Sequence, residues 1–203
     1  MKITIDSLGK QYRKDWIFKD LQYNFEAGGS YAILGPNGAG KSTLLQLINN
    51  NLTPTDGKVN YHNNGNTVDP QDVYHYLNFA APYMELVEEL SLEESIRFHS
   101  KFKVLAGSLN EADIIKELGM ASYSAYLISE FSSGMKQRLK LALAFFFESE
   151  VLILDEPLTN LDEEGISWFN YLLDQHRGAR MLLIGSNRPE EYKRCEHQLS
   201  LGK

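Results

Sequence analysis

Three short stretches of the chain, YAILG at 31–35, VLILD at 151–155 and MLLIG at 181–185, run apolar without a polar interruption and stop at a glycine or an aspartate. A strand covered on both faces has no solvent side and so loses its alternation, which makes these three the expected parallel strands of a core sheet. Three other stretches do alternate: MKITI at 1–5, LQYNF at 21–25 and, after the turn sequence TPTDG, KVNYH at 58–62. They predict antiparallel strands near the N-terminus, covered on one face.

The period lengthens to that of a helix in KSTLLQLINN at 41–50, where Leu44, Leu47 and Ile48 fall on one face. In SLEESIRFHSKF at 91–102, Ser91 and Glu94 have the spacing at which the serine oxygen and the glutamate each satisfy an otherwise free amide of a helix start. A further helix is expected from Asn110 to Gly119. Residues 82–133 carry a helical pattern with no buried-strand run, while α and β signals alternate on either side. The expectation is a single domain in which residues 1–81 and 134–203 form an α/β core with an antiparallel β part, and residues 82–133 a helical insertion.

Composition narrows the partners. The 203 residues carry 27 acidic and 20 basic side chains, a net charge of −7, which disfavours any binding that neutralises a run of nucleic-acid phosphates. A single cysteine, Cys195, excludes an internal disulfide. The longest apolar run, LALAFFF from Leu141, falls far short of the roughly 20 residues that span a bilayer. The first residues also lack the apolar stretch of a signal peptide. The chain is expected to be soluble and to reach a membrane only through another protein.

The candidate chemistry begins at GPNGAGKST, that is Gly35, Pro36, Asn37, Gly38, Ala39, Gly40, Lys41, Ser42 and Thr43. It fits the phosphate-loop pattern G-x-x-x-x-G-K-S in the required place, after a buried strand and before an amphipathic helix. Backbone amides of residues 37–41 are expected to curl around a β-phosphate, with glycines keeping the amides accessible. Lys41 would reach the β and γ oxygens, and the Ser42 hydroxyl would ligate Mg²⁺ beside the positive end of the helix. VLILDE supplies two carboxylates at a strand end. Asp155 could hold the magnesium through water, and Glu156 could polarise an attacking water as general base.

Two further motifs settle which phosphate-loop family the chain resembles. FSSGMKQR, from Phe131 to Arg138, resembles the LSGGQ signature of ABC transporter ATPases and lies shortly before VLILDEP, and LTNLD at 158–162 is similar to their D-loop. In this order, and over almost the whole chain, the sequence resembles the ATP-binding subunit of an ABC transporter. The resemblance implies a P-loop NTPase (RecA-like) core with a mainly parallel sheet, an N-terminal antiparallel β subdomain and an inserted helical subdomain. It implies hydrolysis of ATP with Mg²⁺, in a head-to-tail dimer that sandwiches two ATP molecules. Ser132, Ser133, Gly134 and Met135 would then face the γ-phosphate held by the other subunit, Asn160 and Asp162 would cross the interface, and Tyr12 would stack on adenine. The second ATPase subunit could be identical or different. A transmembrane permease subunit is the expected partner, with PYMELVEEL at 82–90 receiving one of its helices, and the expected location is cytoplasmic, peripheral at the inner face of the cell membrane.

The sequence departs from the family at three places. The signature has Phe131, Ser133 and Met135 for the usual leucine, glycine and glutamine; Pro82 stands where a glutamine is usual; and Asn187 stands where the family usually has a histidine. Asparagine donates a hydrogen bond but carries no charge, so hydrolysis is expected to be slower than is usual in the family, with Glu156 keeping it possible. A soluble relative acting in cofactor assembly, or a hydrolysis-weak cassette serving as an ATP-dependent scaffold, stays open on the sequence.

Overall fold

The computed structural model describes residues 1–202. In chain order the elements are β1 (Lys2–Tyr12), β2 (Asp15–Phe25), β3 (Ser30–Leu34), α1 (Lys41–Ile48), β4 (Asp56–Asn63), β5 (Asn66–Val68), β6 (Leu77–Ala80), α2 (Leu92–His99) and α3 (Glu111–Glu117). They continue with α4 (Ser133–Phe145), β7 (Val151–Asp155), α5 (Glu163–His176), β8 (Met181–Gly185), the short α6 (Pro189–Tyr192) and β9 (His197–Ser200). The chain divides into two compact units: residues 1–79, 149–156 and those from Ala179 on make the first, and residues 80–148 and 157–178 the second.

The first unit holds both sheets. The alternating segments pair antiparallel in the order β2-β1-β4-β5, with Ile3 opposite Phe25 on one side and Tyr61 on the other. The uninterrupted apolar segments form a sheet in the order β6-β7-β8-β3-β9, in which β3 runs parallel to β8 and β9, and β7 parallel to β8. Every residue of β7 and β8 is buried, the physical counterpart of their unbroken apolar composition. One cluster of buried side chains joins Ile3, Ile5 and Phe25 of the antiparallel sheet to Leu44 and Ile48 of α1 and to Ile153 and Leu183 of the parallel sheet.

Parallel register brings the strand ends level with one another. Ile33 pairs with Gly185, and Gly185 pairs with Asp155, so these three lie in one row across the sheet, near the carboxyl end of each strand. An open α/β sheet binds its ligands beyond that edge.

In the second unit, local side-chain caps set the helix starts. Ser91 and Glu94 exchange both arms of a capping box at α2, and Asn110 and Asp113 do the same at α3. The helix expected from residue 110 is α3, with Asn110 as its cap. Phe145 and Phe169 meet edge to face at 6.2 Å, joining α4 to α5, and the Trp168 indole donates to the Glu117 carbonyl at 2.9 Å.

Candidate active site

The phosphate loop leaves β3 and turns into α1 at Gly40, whose φ of 98° is open to glycine but strained for other residues. A Cβ there would also come within 2.4 Å of Ile17 Cγ2 and 3.0 Å of Phe18 Cδ1, so β2 packs directly on the loop. No serine, threonine or acidic side chain caps α1. The first-turn amides of Lys41, Ser42 and Thr43 therefore keep their positive end directed outwards. The Lys41 ammonium, at 6 % exposure, folds over the loop and donates to the carbonyls of Gly35 at 2.8 Å and Pro36 at 3.3 Å. The Ala39 amide donates to Pro36 O at 3.0 Å. That turn takes residue 39 out of the run of amides, 37–41, expected to face a phosphate.

Asp155 ends β7 buried at 1 % exposure. Glu156, one residue on, is exposed and has a φ of 42°. A non-glycine residue in this left-handed region costs about 1 kcal/mol or more, and such conformations collect at functional sites. Its amide donates to Gly185 O at 2.9 Å, which ties the turn after β7 to the end of β8.

Beyond β8, Asn187 reaches the phosphate loop directly: its Nδ2 donates to Asn37 Oδ1 at 2.8 Å. Thus the first unit gathers Gly35–Thr43, Asp155, Glu156 and Asn187 at one sheet edge. Tyr12 ends β1 with its side chain 47 % exposed, and the Lys10 ammonium lies 5.1 Å from its ring centroid. The residues packed on the loop from β2 are Ile17 and Phe18, which belong to no motif in the sequence.

The second unit carries the signature. α4 begins at Ser133, because the Ser132 hydroxyl accepts from the Met135 amide at 3.2 Å and so occupies the cap position. Ser133 and Gly134 sit in the first turn with their amides at the positive helix end. A Cβ at Gly134 would lie 2.9 Å from the Asn160 carbonyl. Glycine there lets the D-loop backbone press against the signature helix. Asp162 caps α5 by accepting from the Gly165 amide at 2.8 Å. Ser132, Ser133, Gly134, Met135, Asn160 and Asp162 line one open cleft of about 460 Å³, and Arg138 pairs with Glu164 at 3.2 Å at its side. Gln137 is buried inside α4 and donates to Pro157 O at 3.0 Å; its role has no local signal in the sequence.

Residues 82–90 take neither helix nor strand form over most of their length and shape a groove of about 550 Å³, lined by Pro82, Met84, Leu86, Glu88, Lys136 and Lys140 among others. Lys140 donates to Pro82 O and Lys136 pairs with Glu88, both at 2.5 Å. Burial, and then the neighbouring Lys136 charge, lower the Lys140 pKa. With no side-chain oxygen and no N–H, Pro82 contributes its carbonyl alone.

A phosphate loop at the carboxyl edge of a parallel sheet, a buried aspartate followed by an exposed glutamate, and a capped signature helix define an ATPase of the cassette class. The sequence profile of the family described as ABC transporter matches residues 18–159, and the chain belongs to that family as an ATP-binding, ATP-hydrolysing subunit. It is 27 % identical to the uncharacterized ABC transporter ATP-binding protein YybJ of Bacillus subtilis over 98 % of this chain and 92 % of that protein. It is also 27 % identical to the lantibiotic transport ATP-binding protein SrtF of Streptococcus pyogenes, over 91 % and 79 %. Its fold matches that of an ATP-binding cassette solved as a dimer in a post-hydrolysis state with ADP and Pi, with a TM-score of 0.84, 19 % identity and coverage of 98 % and 94 %.

Proposed function

We infer that the chain hydrolyses ATP as one of two paired cassettes and that closing and reopening of the pair drives a membrane-spanning permease. The observation that carries this reading is the row Ile33–Gly185–Asp155, from whose edge the phosphate loop, the buried carboxylate, Glu156 and Asn187 all emerge. Loop amides and Lys41 hold the triphosphate, with the α1 dipole behind them. Glu156 takes a proton from the attacking water, and Asn187 donates to a terminal phosphate oxygen.

Ser42 and Asp155 are the residues for Mg²⁺. No cluster of three or more His, Cys, Asp or Glu able to hold a metal exists among the described residues. One hydroxyl, one carboxylate, phosphate oxygens and water suit magnesium, which keeps several waters. When bound, the ion neutralises charge on the phosphates.

The signature cleft, with Ser132, Ser133, Gly134, Met135, Asn160 and Asp162, closes over the phosphates bound to the paired cassette, whether a second copy of the chain or a different one. Tyr12 stacks on the adenine. The groove at 82–90 receives a helix of the permease, which holds the subunit peripherally at the inner membrane face. No helix among the described residues is long and apolar enough to cross a membrane, and the net charge of −7 argues against a nucleic-acid partner. The test is affinity purification from detergent-solubilised membranes with an ATPase assay. Co-purification of a protein with several membrane spans, and turnover abolished by Lys41→Ala, are expected; recovery entirely in the soluble fraction would overturn the permease reading.

A further inference from the structure

Asn37 and Asn187 are 150 residues apart in sequence, yet Asn187 Nδ2 donates to Asn37 Oδ1 at 2.8 Å. The backbone beneath Asn187 is pinned. Ser186, wholly buried, donates its amide to Ile33 O at 3.2 Å, in the strand that feeds the phosphate loop. Its hydroxyl donates to the buried Glu191 carboxylate and accepts the Arg188 amide at 2.8 Å. Asn187 therefore projects from a backbone fixed on both sides, and the direction of its amide is left to be set.

An asparagine amide has two N–H donors and one carbonyl acceptor. With one N–H committed to Asn37, the second points at a set angle to that bond. We propose that Asn37 is a positioning residue for Asn187: its Oδ1 takes one amide N–H and so aims the other at a terminal phosphate oxygen of ATP. Asn37 then contributes to turnover through Asn187, in addition to its place in the loop backbone. Both side chains are exposed, so water competes for the bond and its effect has the size of one net hydrogen bond. The inference rests on the ATPase reading above and adds to it how the residue at 187 is oriented when no imidazole is present.

The test is a double-mutant cycle on the full chain: Asn37→Ala, Asn187→Ala and the pair, assayed for steady-state hydrolysis beside Lys41→Ala. Each single change is expected to lower kcat/KM for ATP about fivefold, part of it in kcat, because the aimed N–H meets a terminal phosphate oxygen in bound ATP and does so more strongly as charge shifts there in the reaction. The double variant should fall no further than Asn187→Ala, since Asn37 has nothing left to orient. A second readout avoids turnover: in Glu156→Gln protein, the preference for ATP over ADP should drop in both single variants and drop no further in the double. Equal losses from Asn37→Ala with and without Asn187, a change confined to KM, or an unchanged ATP preference would overturn the proposal. If the wild type shows no turnover that Lys41→Ala abolishes, the ATPase reading fails, and the affinity ratios still decide the pair.

Discussion

The phosphate loop and the signature cleft both offer the positive end of a helix to an anion, but they are assembled from different materials. At the first, residues 35–43, 155–156 and 187 come from segments far apart in sequence and meet because parallel register sets their strand ends in one row. At the second, two helix starts, α4 and α5, are each capped by a local side chain, Ser132 and Asp162, and Gly134 lets the D-loop approach. The first carries a lysine, a buried carboxylate and an exposed one, the groups that the proposed function uses to hold a triphosphate and activate water. The second carries hydroxyls and amides but no lysine to hold a triphosphate. On the function proposed above, the first half-site is the binder and the second a closing surface that needs a nucleotide presented to it.

Substitutions should separate the two halves. Glu156→Gln is expected to lower kcat about 10²- to 10³-fold, the usual worth of a general base, while ATP affinity stays within about twofold; a phosphate-release assay with equilibrium binding checks both. The next effect belongs to the second unit. Burial, and then the Lys103 charge, push the His99 pKa down to about 4 from 6.5. Because the unfolded chain takes up that proton first, stability contributed by the neutral imidazole is fully present above pH 6.5 and is lost as pH falls through the window from 6.5 to 4. The loss should reach about 3 kcal/mol. His99→Gln should remove that slope, as followed by thermal unfolding at Trp168 in a Trp16→Phe background.

Gly134→Ala places a methyl 2.9 Å from the Asn160 carbonyl. It should cut turnover about tenfold, in the range of a displaced backbone contact, yet leave ATP binding by the isolated chain unchanged; a loss of binding instead would mean the halves are not separable. Tyr12→Ala should have the smallest effect, raising KM for ATP about threefold through the loss of one aromatic contact, with kcat unaltered in the same assay.

Legibility in the sequence divides along the same line. Strand type follows from alternation in MKITI and its absence in VLILD, because burial on one face or two leaves a direct mark on residue choice. Helix starts at Ser91 and Asn110 are readable since a cap is a local bond. At the start of α4 the residue types leave two choices, because Ser132 and Ser133 are chemically equal and only the bond to the Met135 amide makes Ser132 the cap. Contacts made across the sheet leave no such mark. Ile17 and Phe18 against Gly40, and Asn187 on Asn37, depend on how distant segments pack, and no periodicity encodes that.

If a second copy of the chain completes each half-site, ATP must hold two copies together. The mass of Glu156→Gln protein by sedimentation equilibrium, with and without ATP, decides this. A monomer without nucleotide and a dimer at saturating ATP, reverting to monomer when Gly134→Val is added, is the expected result. A monomer that binds one ATP per chain at saturation, or a dimer indifferent to both ATP and residue 134, would contradict it.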